Sequence, residues 1–284
     1  LYDGNDKLDA EKLQKEAGEQ VQIVLGEFPE GIEKELALVI ISPGVPTDLP
    51  VVEKMRGMGI PIWGEVELAY VCGMGDVLAI TGTNGKTTTT TLLGEIIKNY
   101  KSDVFVVGNI GNPYTEAALH MTDESVAVAE MSSFQLESIH TFRPEVSAIL
   151  NITPDHLNRH HTMEAYIEAK EKIAVNQTEE DFCVLNYEDE VLREFADSVR
   201  AKVIFFSSGR RLEQGIFLED GQIILKGEKE VVLCRTDELK LLGTHNFENV
   251  MAASAMAAAY GAPLVVIRKS ILEFRGVEHR SEFV

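Results

Sequence analysis

The run DVLAITGTNGKTTTTTLLG, Asp76 to Gly94, constrains this chain more than any other. Val77 to Ile80 is a short apolar run that reads as a buried strand, and it breaks at Thr81-Gly82-Thr83-Asn84-Gly85. A helical pattern follows, with Leu92, Leu93, Ile96 and Ile97 on its apolar side. Strand, glycine turn, Lys86, Thr87 and helix is the order in which a phosphate-binding loop is built. Glycines let backbone N–H groups turn inward on an anion, and the helix N-terminus adds its partial positive charge. Gly82, Thr83, Asn84, Gly85 and Thr88 complete the candidate cradle; Lys86 reaches the outer phosphates and the Thr87 hydroxyl suits Mg²⁺. The spelling departs from the common G-x-x-x-x-G-K-[ST], because Ile80 stands at the first glycine and leaves G-x-x-G-K-T. The plain alternative is a glycine turn before a threonine-rich helix. The flanking strand and helix favour a nucleoside triphosphate site.

Composition sets the bounds around this loop. A chain of 284 residues with 45% hydrophobic content can bury a real core, as one large or two ordinary domains. A net charge of −20 argues against a nucleic-acid partner, so an anion site must rest on local backbone and a few lysines. No run approaches a transmembrane span or a signal peptide, and the expectation is a cytoplasmic protein without membrane contact. Cys72, Cys183 and Cys234 form no C-x-x-C pair, and two of them sit in apolar runs, which favours free thiols.

Leu1 to Gly4 reads as the end of a strand with no strand or glycine-rich turn before it. Helix (10–16), strand (21–25), strand (36–41), helix (51–58) and short strand (60–63) follow. This alternation predicts a parallel sheet. Ser42-Pro43-Gly44-Val45-Pro46 is a ligand loop or a rigid turn; spacing does not separate the two. A connecting helix at 65–70 puts the domain boundary near Tyr70.

The second segment repeats one pattern, an apolar strand with polar residues at its carboxyl end. The strand 104–107 ends in Gly108-Asn109, 126–129 in Glu130-Met131-Ser132-Ser133, and 146–152 in Thr153-Pro154-Asp155-His156. With the phosphate loop these ends line one crevice of an open α/β sheet. Glu130 is a candidate Mg²⁺ or water ligand, with helix capping as its alternative, and His156 is a candidate for substrate or metal. A helix over 163–175 places Met163, Tyr166, Ile167, Ile173 and Ala174 on one face, and Lys170 falls among them. A bare ammonium there is costly unless paired or chemically altered; the alternative is a lysine that snorkels to the rim. Strands at 182–185 and 203–206 flank a helix at 191–199, and Asp220-Gly221 signals a hairpin that Val231 to Leu233 could extend. An alanine-rich helix, 247–260, carries Asn246 and Asn249 at its first turn, where they cap or meet a base edge. A last helix spans 263–274, and the sequence spacing carries no Ser-His-Asp or Cys-His arrangement.

GTNGKTTTT, AEMSSFQLES, LNITPDHLNRH, YIEAKEKI, GTHNFENVMAA and GVEHRSEF fall in order, and together they resemble the Mur ligases of peptidoglycan synthesis. The resemblance implies an α/β chain: an incomplete Rossmann-like N-terminal domain (1–70) binding the UDP-substrate, then a P-loop ATPase-type central domain (71–284). The central domain is expected to carry a parallel sheet plus a small antiparallel meander. The family's C-terminal domain and the opening strand and loop for uridine are expected to be absent, and residues 1–284 alone to be inactive. Lys86 and Thr87 would hold the ATP phosphates and a first Mg²⁺, joined by Glu130. His156 and a carbamylated Lys170 would support a second Mg²⁺. Asn246 and Asn249 match adenine contacts, Arg280 an arginine near the phosphates, and Asn109, Ser132 and Gln135 contacts with the UDP-sugar. The run SSFQLE implies D-glutamate as the added amino acid and UDP-N-acetylmuramoyl-L-alanine as acceptor, in a monomer.

The chemistry so implied is ATP-driven activation of the acceptor's own carboxylate as an acyl phosphate, displaced by the D-glutamate amine. Positioning and electrostatics then carry the catalysis, without a nucleophilic side chain. Two other readings stand beside it. Folylpolyglutamate synthase shares the ATPase core, and a nucleotide-dependent switch or scaffold needs the loop but not Glu130, His156 and Lys170 together.

Overall fold

The computed structural model describes residues 1–276, so Arg280 lies outside the described residues. The chain divides into two compact units, residues 1–39 with 48–62, and residues 40–47 with 63 onward. In the first, strand β1 (Tyr2–Asp3) runs parallel to β2 (Val24–Leu25), with helix α1 (Ala10–Ala17) between them in sequence. The Asp9 carboxylate accepts the Lys12 N–H at 3.0 Å and so fixes where α1 starts. The expected strand over 36–41 is shortened to β3 (Val39–Ile41), because Ile32–Glu35 winds into a 3₁₀ turn that captures the Leu36 N–H on Glu33. Helix α2 (Pro50–Gly57) opens on a proline, whose missing N–H costs nothing at that position, and β4 (Ile62–Gly64) follows.

The second unit begins with α3 (Glu65–Cys72) and β5 (Asp76–Thr81), then α4 (Lys86–Lys98), β6 (Val104–Gly108), α5 (Tyr114–Ala118) and β7 (Val126–Glu130). A four-residue turn α6 (Ser133–Leu136), β8 (Val146–Ile149), α7 (Leu157–His160) and α8 (Met163–Glu171) come next. The chain then alternates β9 (Phe182–Asn186), α9 (Glu190–Ala196) and β10 (Lys202–Ser207). It ends in β11 (Gly215–Glu219), β12 (Gln222–Lys226), β13 (Glu230–Arg235), α10 (Thr244–Ala259) and α11 (Leu264–Glu273).

Among the described residues one nine-stranded sheet takes the order β6-β7-β5-β8-β9-β10-β11-β12-β13. Every pair from β6 to β11 is parallel, and β12 and β13 turn back antiparallel. The expected antiparallel meander is β11 to β13, and it continues the parallel sheet. Phe206 of β10 pairs with Ile216 of β11 and carries the parallel sheet into it. Its hairpin turn places Asp220 at φ +47° and Gly221 at φ +72°, the left-handed pair that a two-residue turn of this hand requires.

Side-chain alternation along the strands builds two cores. Leu78 and Ile80 of β5 face α4, α10 and α11, meeting Leu92, Ile96, Met256 and Ile271. Val77 and Ala79 face the other way, toward Val66, Tyr114, Leu136 and Tyr166. Burial of Leu78 or Ile80, both 0% exposed, contributes roughly 1.5–3 kcal/mol each. This three-layer stack buries β5 on both faces and leaves only its carboxyl end open to chemistry. On the second face, buried Glu67 of α3 accepts the N–H groups of His140, Thr141 and Phe142 and the Thr141 hydroxyl, at 2.5–3.1 Å. Burial opposes that charge, but the four donors outweigh it and hold the carboxyl below its usual range. Glu67 thereby anchors the segment that follows α6. Cys72, Cys183 and Cys234 are all free, the latter two buried, and no helix among the described residues is long and apolar enough to cross a membrane.

Candidate active site

Strand β5 lies between β7 and β8, and the chain reaches these two in opposite directions from it, so β5 sits where the strand order reverses. A crevice opens at such a point beyond the carboxyl ends. The loop after β5 fills it. Thr83 N–H bonds the Asn151 carbonyl at 2.9 Å, Asn84 N–H bonds the Asn151 side chain at 2.8 Å, and the Thr83 hydroxyl reaches the Thr153 carbonyl and the Tyr166 hydroxyl. The strand expected to run to Ile152 stops at Ile149 for this reason. Leu150 N–H still makes the ladder bond to the Thr81 carbonyl, and beyond it the Ile152 N–H leaves the ladder for the Asp189 carboxylate.

Gly85, at φ +84°, precedes α4 as its cap, and among the described residues no side chain caps the helix. Helix geometry gives the first turn of α4 no carbonyls four residues back for its N–H groups, and its positive end makes this a candidate anion site. A Cβ on Gly85 would lie 2.2 Å from Asn249 Oδ1, so the close approach of α10 admits only glycine. Asn249 is buried, and its Oδ1 accepts the Thr89 hydroxyl at 3.2 Å. Asn246 turns instead to its own helix end, its Nδ2 donating to the Leu242 carbonyl at 2.7 Å. The two asparagines expected to act together thus occupy different surroundings, Asn249 against the loop and Asn246 in a cap.

Two lysines converge on one carbonyl. Lys86 Nζ donates to Gly82 O at 2.9 Å and Thr83 O at 3.0 Å, and Lys170 Nζ donates to Gly82 O at 2.8 Å. Lys170 is 2% exposed and does not snorkel to the rim. Burial, then the neighbouring Lys86 charge, lower its pKa to about 7, against the opposing pull of Asp155. Both influences favour the neutral amine over the ammonium.

Across the crevice Glu130 ends β7, 1% exposed. Its Oε1 accepts Asn109 Nδ2 at 2.8 Å, while its Oε2 is buried without a hydrogen-bond partner among the described residues. A carboxylate oxygen left so is expensive unless a cation or donor meets it. No group of three or more His, Cys, Asp or Glu side chains among the described residues could hold a metal by itself. Mg²⁺ favours one or two carboxylates together with phosphate oxygens, and the open carboxylate oxygen of Glu130 fits that donor set. His156 takes a left-handed backbone, φ +52°, with its ring half exposed, 3.4 Å from Asp155 and 5.0 Å from the Phe134 ring.

Ser132 and Gln135 close on each other in a capping box. Gln135 Oε1 accepts both the N–H and hydroxyl of Ser132 at 2.9 Å, and Gln135 N–H donates to Ser132 Oγ. Sequence reading found no serine–histidine–acid group, but the fold builds one behind this turn. Ser133 Oγ lies 2.9 Å from His160 Nε2, and His160 Nδ1 lies 3.2 Å from Glu137 Oε1. The signal was present only as SSFQLE and the histidine pair His160-His161; nothing in spacing joins the two runs.

Residues 80–257 match the model of the Mur ligase middle domain. The chain is 55% identical over its whole length to the UDP-N-acetylmuramoylalanine–D-glutamate ligase of Lachnoclostridium phytofermentans and 51% to that of Lachnospira eligens. It spans 63% and 64% of the lengths of those relatives. Among solved structures, the UDP-N-acetylmuramate:L-alanyl-gamma-D-glutamyl-meso-diaminopimelate ligase of Neisseria meningitides superposes with a TM-score of 0.62 at 19% identity, covering 98% of this chain and 90% of that one. At that identity the superposition speaks for the fold alone. With its phosphate loop, its mostly parallel sheet and a middle-domain match over more than half its length, the chain belongs to the Mur ligase family.

Proposed function

We propose that the protein carrying this chain is an ATP-dependent ligase that joins D-glutamate to UDP-N-acetylmuramoyl-L-alanine, in the cytoplasm and as a monomer. Residues 1–70 are read as part of the UDP-substrate domain and 71–284 as the ATP-binding domain. The observation that carries the reading is 55% identity, along the whole chain, to a relative named for this reaction. Bound Mg²⁺-ATP supplies the γ-phosphoryl that converts the acceptor's terminal carboxylate to an acyl phosphate, which the D-glutamate amine displaces to give amide and inorganic phosphate.

The chain's own residues then have distinct tasks. The uncapped start of α4 receives the phosphates on the N–H groups of Lys86, Thr87 and Thr88, with Gly82 to Gly85 shaping the cradle. Lys86, now folded onto Gly82 O and Thr83 O, swings to the outer phosphate and offsets negative charge. Thr87 and Glu130 hold one Mg²⁺, and His156 with Lys170 supports a second. For that role the neutral Lys170 amine adds to CO₂, forming an N–C bond and releasing a proton, and the carbamate supplies an anionic oxygen pair. Asn109, Ser132 and Gln135 are assigned to the acceptor and Asn246 and Asn249 to the adenine, with Asn249 starting from its contact with the loop and Asn246 from its helix cap. Arg280, also assigned to the phosphates, lies outside the described residues.

The test uses the full-length protein. Wild type is expected to form ADP and the D-glutamyl product only when acceptor and D-glutamate are both present, and Lys86→Ala to lose product by at least a thousandfold with its melting temperature retained. Labelled ¹³CO₂ should give a carbamate carbon signal that Lys170→Ala lacks. Glutamate transfer to a folate acceptor, or turnover without any acceptor, refutes the reading.

A further inference from the structure

The group behind α6 has the connectivity of a hydrolase triad but not its access. Ser133 and His160 are 2% and 6% exposed, so no carbonyl substrate can reach the Ser133 hydroxyl. Glu137 is already engaged, its Oε2 accepting Arg159 Nη2 at 2.7 Å. The same guanidinium reaches the Val45 carbonyl at 3.2 Å and covers the Phe134 ring at 5.0 Å. A carboxylate only accepts, so Nδ1 of a neutral His160 carries the proton and Nε2 is left to accept from Ser133 Oγ–H. Burial, the largest influence on His160, keeps its pKa below the usual range and favours that neutral ring.

The placement of these groups on the turn is informative. A four-residue helix cannot stabilise itself, because nucleation is unfavourable and the turn closes few bonds. Its own capping box uses Ser132 and Gln135, the two side chains assigned to the acceptor. When either turns to a ligand, the cap loses a bond. Ser133 and Glu137 stand four residues apart on the turn and both face His160, away from that cap. The His160 ring is held in turn, stacked on Phe134 at 5.4 Å and tilted on Tyr166 at 5.3 Å, and the Tyr166 hydroxyl lies 3.0 Å from Thr83 Oγ1 of the phosphate loop.

We propose that His160, through Ser133 and Glu137, is a positioning residue that holds α6 in place while Ser132 and Gln135 exchange their mutual cap for the acceptor. This deepens the ligase reading and rests on its assignment of Ser132 and Gln135. The relay touches no reacting atom. Its loss raises the acceptor's KM and leaves ATP recognition, which belongs to α4 and α10, largely alone.

The experiment is steady-state kinetics of the full-length protein with acceptor and ATP varied separately, for Ser133→Ala, His160→Phe, their double variant and His160→Gln, with melting temperatures beside them. His160→Phe keeps the ring and loses both nitrogens; the His160→Gln amide can still reach Ser133. Each of Ser133→Ala and His160→Phe is expected to raise the acceptor KM about tenfold, with the ATP KM within twofold. The double variant should be no worse than His160→Phe, because both break one relay, and His160→Gln should recover part of the loss. If His160→Phe does not fold, Ser133→Ala and His160→Gln carry the same comparison. Wild type forming no D-glutamyl product overturns the ligase reading beneath the proposal. Wild type forming product while Ser133→Ala and His160→Gln keep the acceptor KM within twofold overturns the relay alone. So does a parallel rise in both KM values with a falling melting temperature, which marks a merely structural contact.

Discussion

Lys170→Met should stabilise the fold while abolishing ligation. Burial moves the Lys170 pKa from its usual 10.5 to about 7, a difference of 3.5. At roughly 1.4 kcal/mol per pKa unit, and with the amine about half neutral at pH 7, the unmodified lysine costs the folded state on the order of 4 kcal/mol there. Methionine fills a similar volume without charge. It forfeits the 2.8 Å bond to Gly82 O, worth about 1 kcal/mol, but Lys86 still donates to that carbonyl and leaves it satisfied. The expected net gain is therefore about 3 kcal/mol at pH 7. Its sign against pH follows from proton counting. Between pH 7 and 10.5 the unfolded lysine holds a proton that the folded one has lost, so wild-type stability rises with pH by up to ~1.4 kcal/mol per unit. The methionine variant lacks that slope, and the gap narrows to about 1 kcal/mol at pH 9 and closes near pH 10. Urea denaturation of both proteins at pH 7, 8 and 9 in CO₂-free buffer measures it. A variant no more stable than wild type at pH 7, or a gap that ignores pH, would refute the burial argument.

Two further substitutions probe the scaffold. Gly85→Ala places a Cβ 2.2 Å from Asn249 Oδ1 at a φ of +84°. Left-handed strain of about 1–2 kcal/mol, with the displaced Thr89–Asn249 bond, should lower stability by roughly 2–4 kcal/mol and weaken ATP binding in calorimetry; unchanged binding would detach Asn249 from the loop. Glu67→Gln sets an amide NH₂ against either the His140 and Phe142 donors on Oε2 or the Thr141 donors on Oε1 and should cost roughly 2–4 kcal/mol near neutral pH. Because the Glu67 pKa is lowered in the fold, its contribution is present above the usual carboxyl range and fades as pH falls through its folded value, so an acid-unfolding midpoint identical in both proteins would contradict the assignment.

What sequence patterns disclosed, and what they did not, divides along chain distance. The phosphate loop is contiguous, so strand, glycine, Lys86 and helix could be recognised together. The lysine misplaced on an apolar face was likewise visible at helical spacing, though its partner, the Gly82 carbonyl 88 residues away, was not. Helices α5, α6 and α7 have five, four and four residues, too few to show a period of 3.6. The apolar run through Ile152 looks like continuous strand because composition does not record that Ile152 hands its N–H to the Asp189 carboxylate. Asn246 and Asn249, three residues apart, looked equivalent, and only the approach of α10 to Gly85 separates them. Ser133 and His160 are 27 residues apart, and folding alone brings them into contact.

The interior position of β5 carries a consequence for how the protein is made. Its register partners are Val126 of β7, 50 residues beyond Asp76, and Val146 of β8, 68 residues beyond Leu78. During synthesis at about 5–20 residues per second, Val77 to Ile80 emerges several seconds before either edge of that strand can be covered. A short, uncharged, proline-free stretch of high strand propensity is a template for mispairing in that interval. A strand that later lies paired on both edges and buried on both faces is thus open to other nascent chains while it waits, and the yield of active protein depends on shielding it until its neighbours arrive.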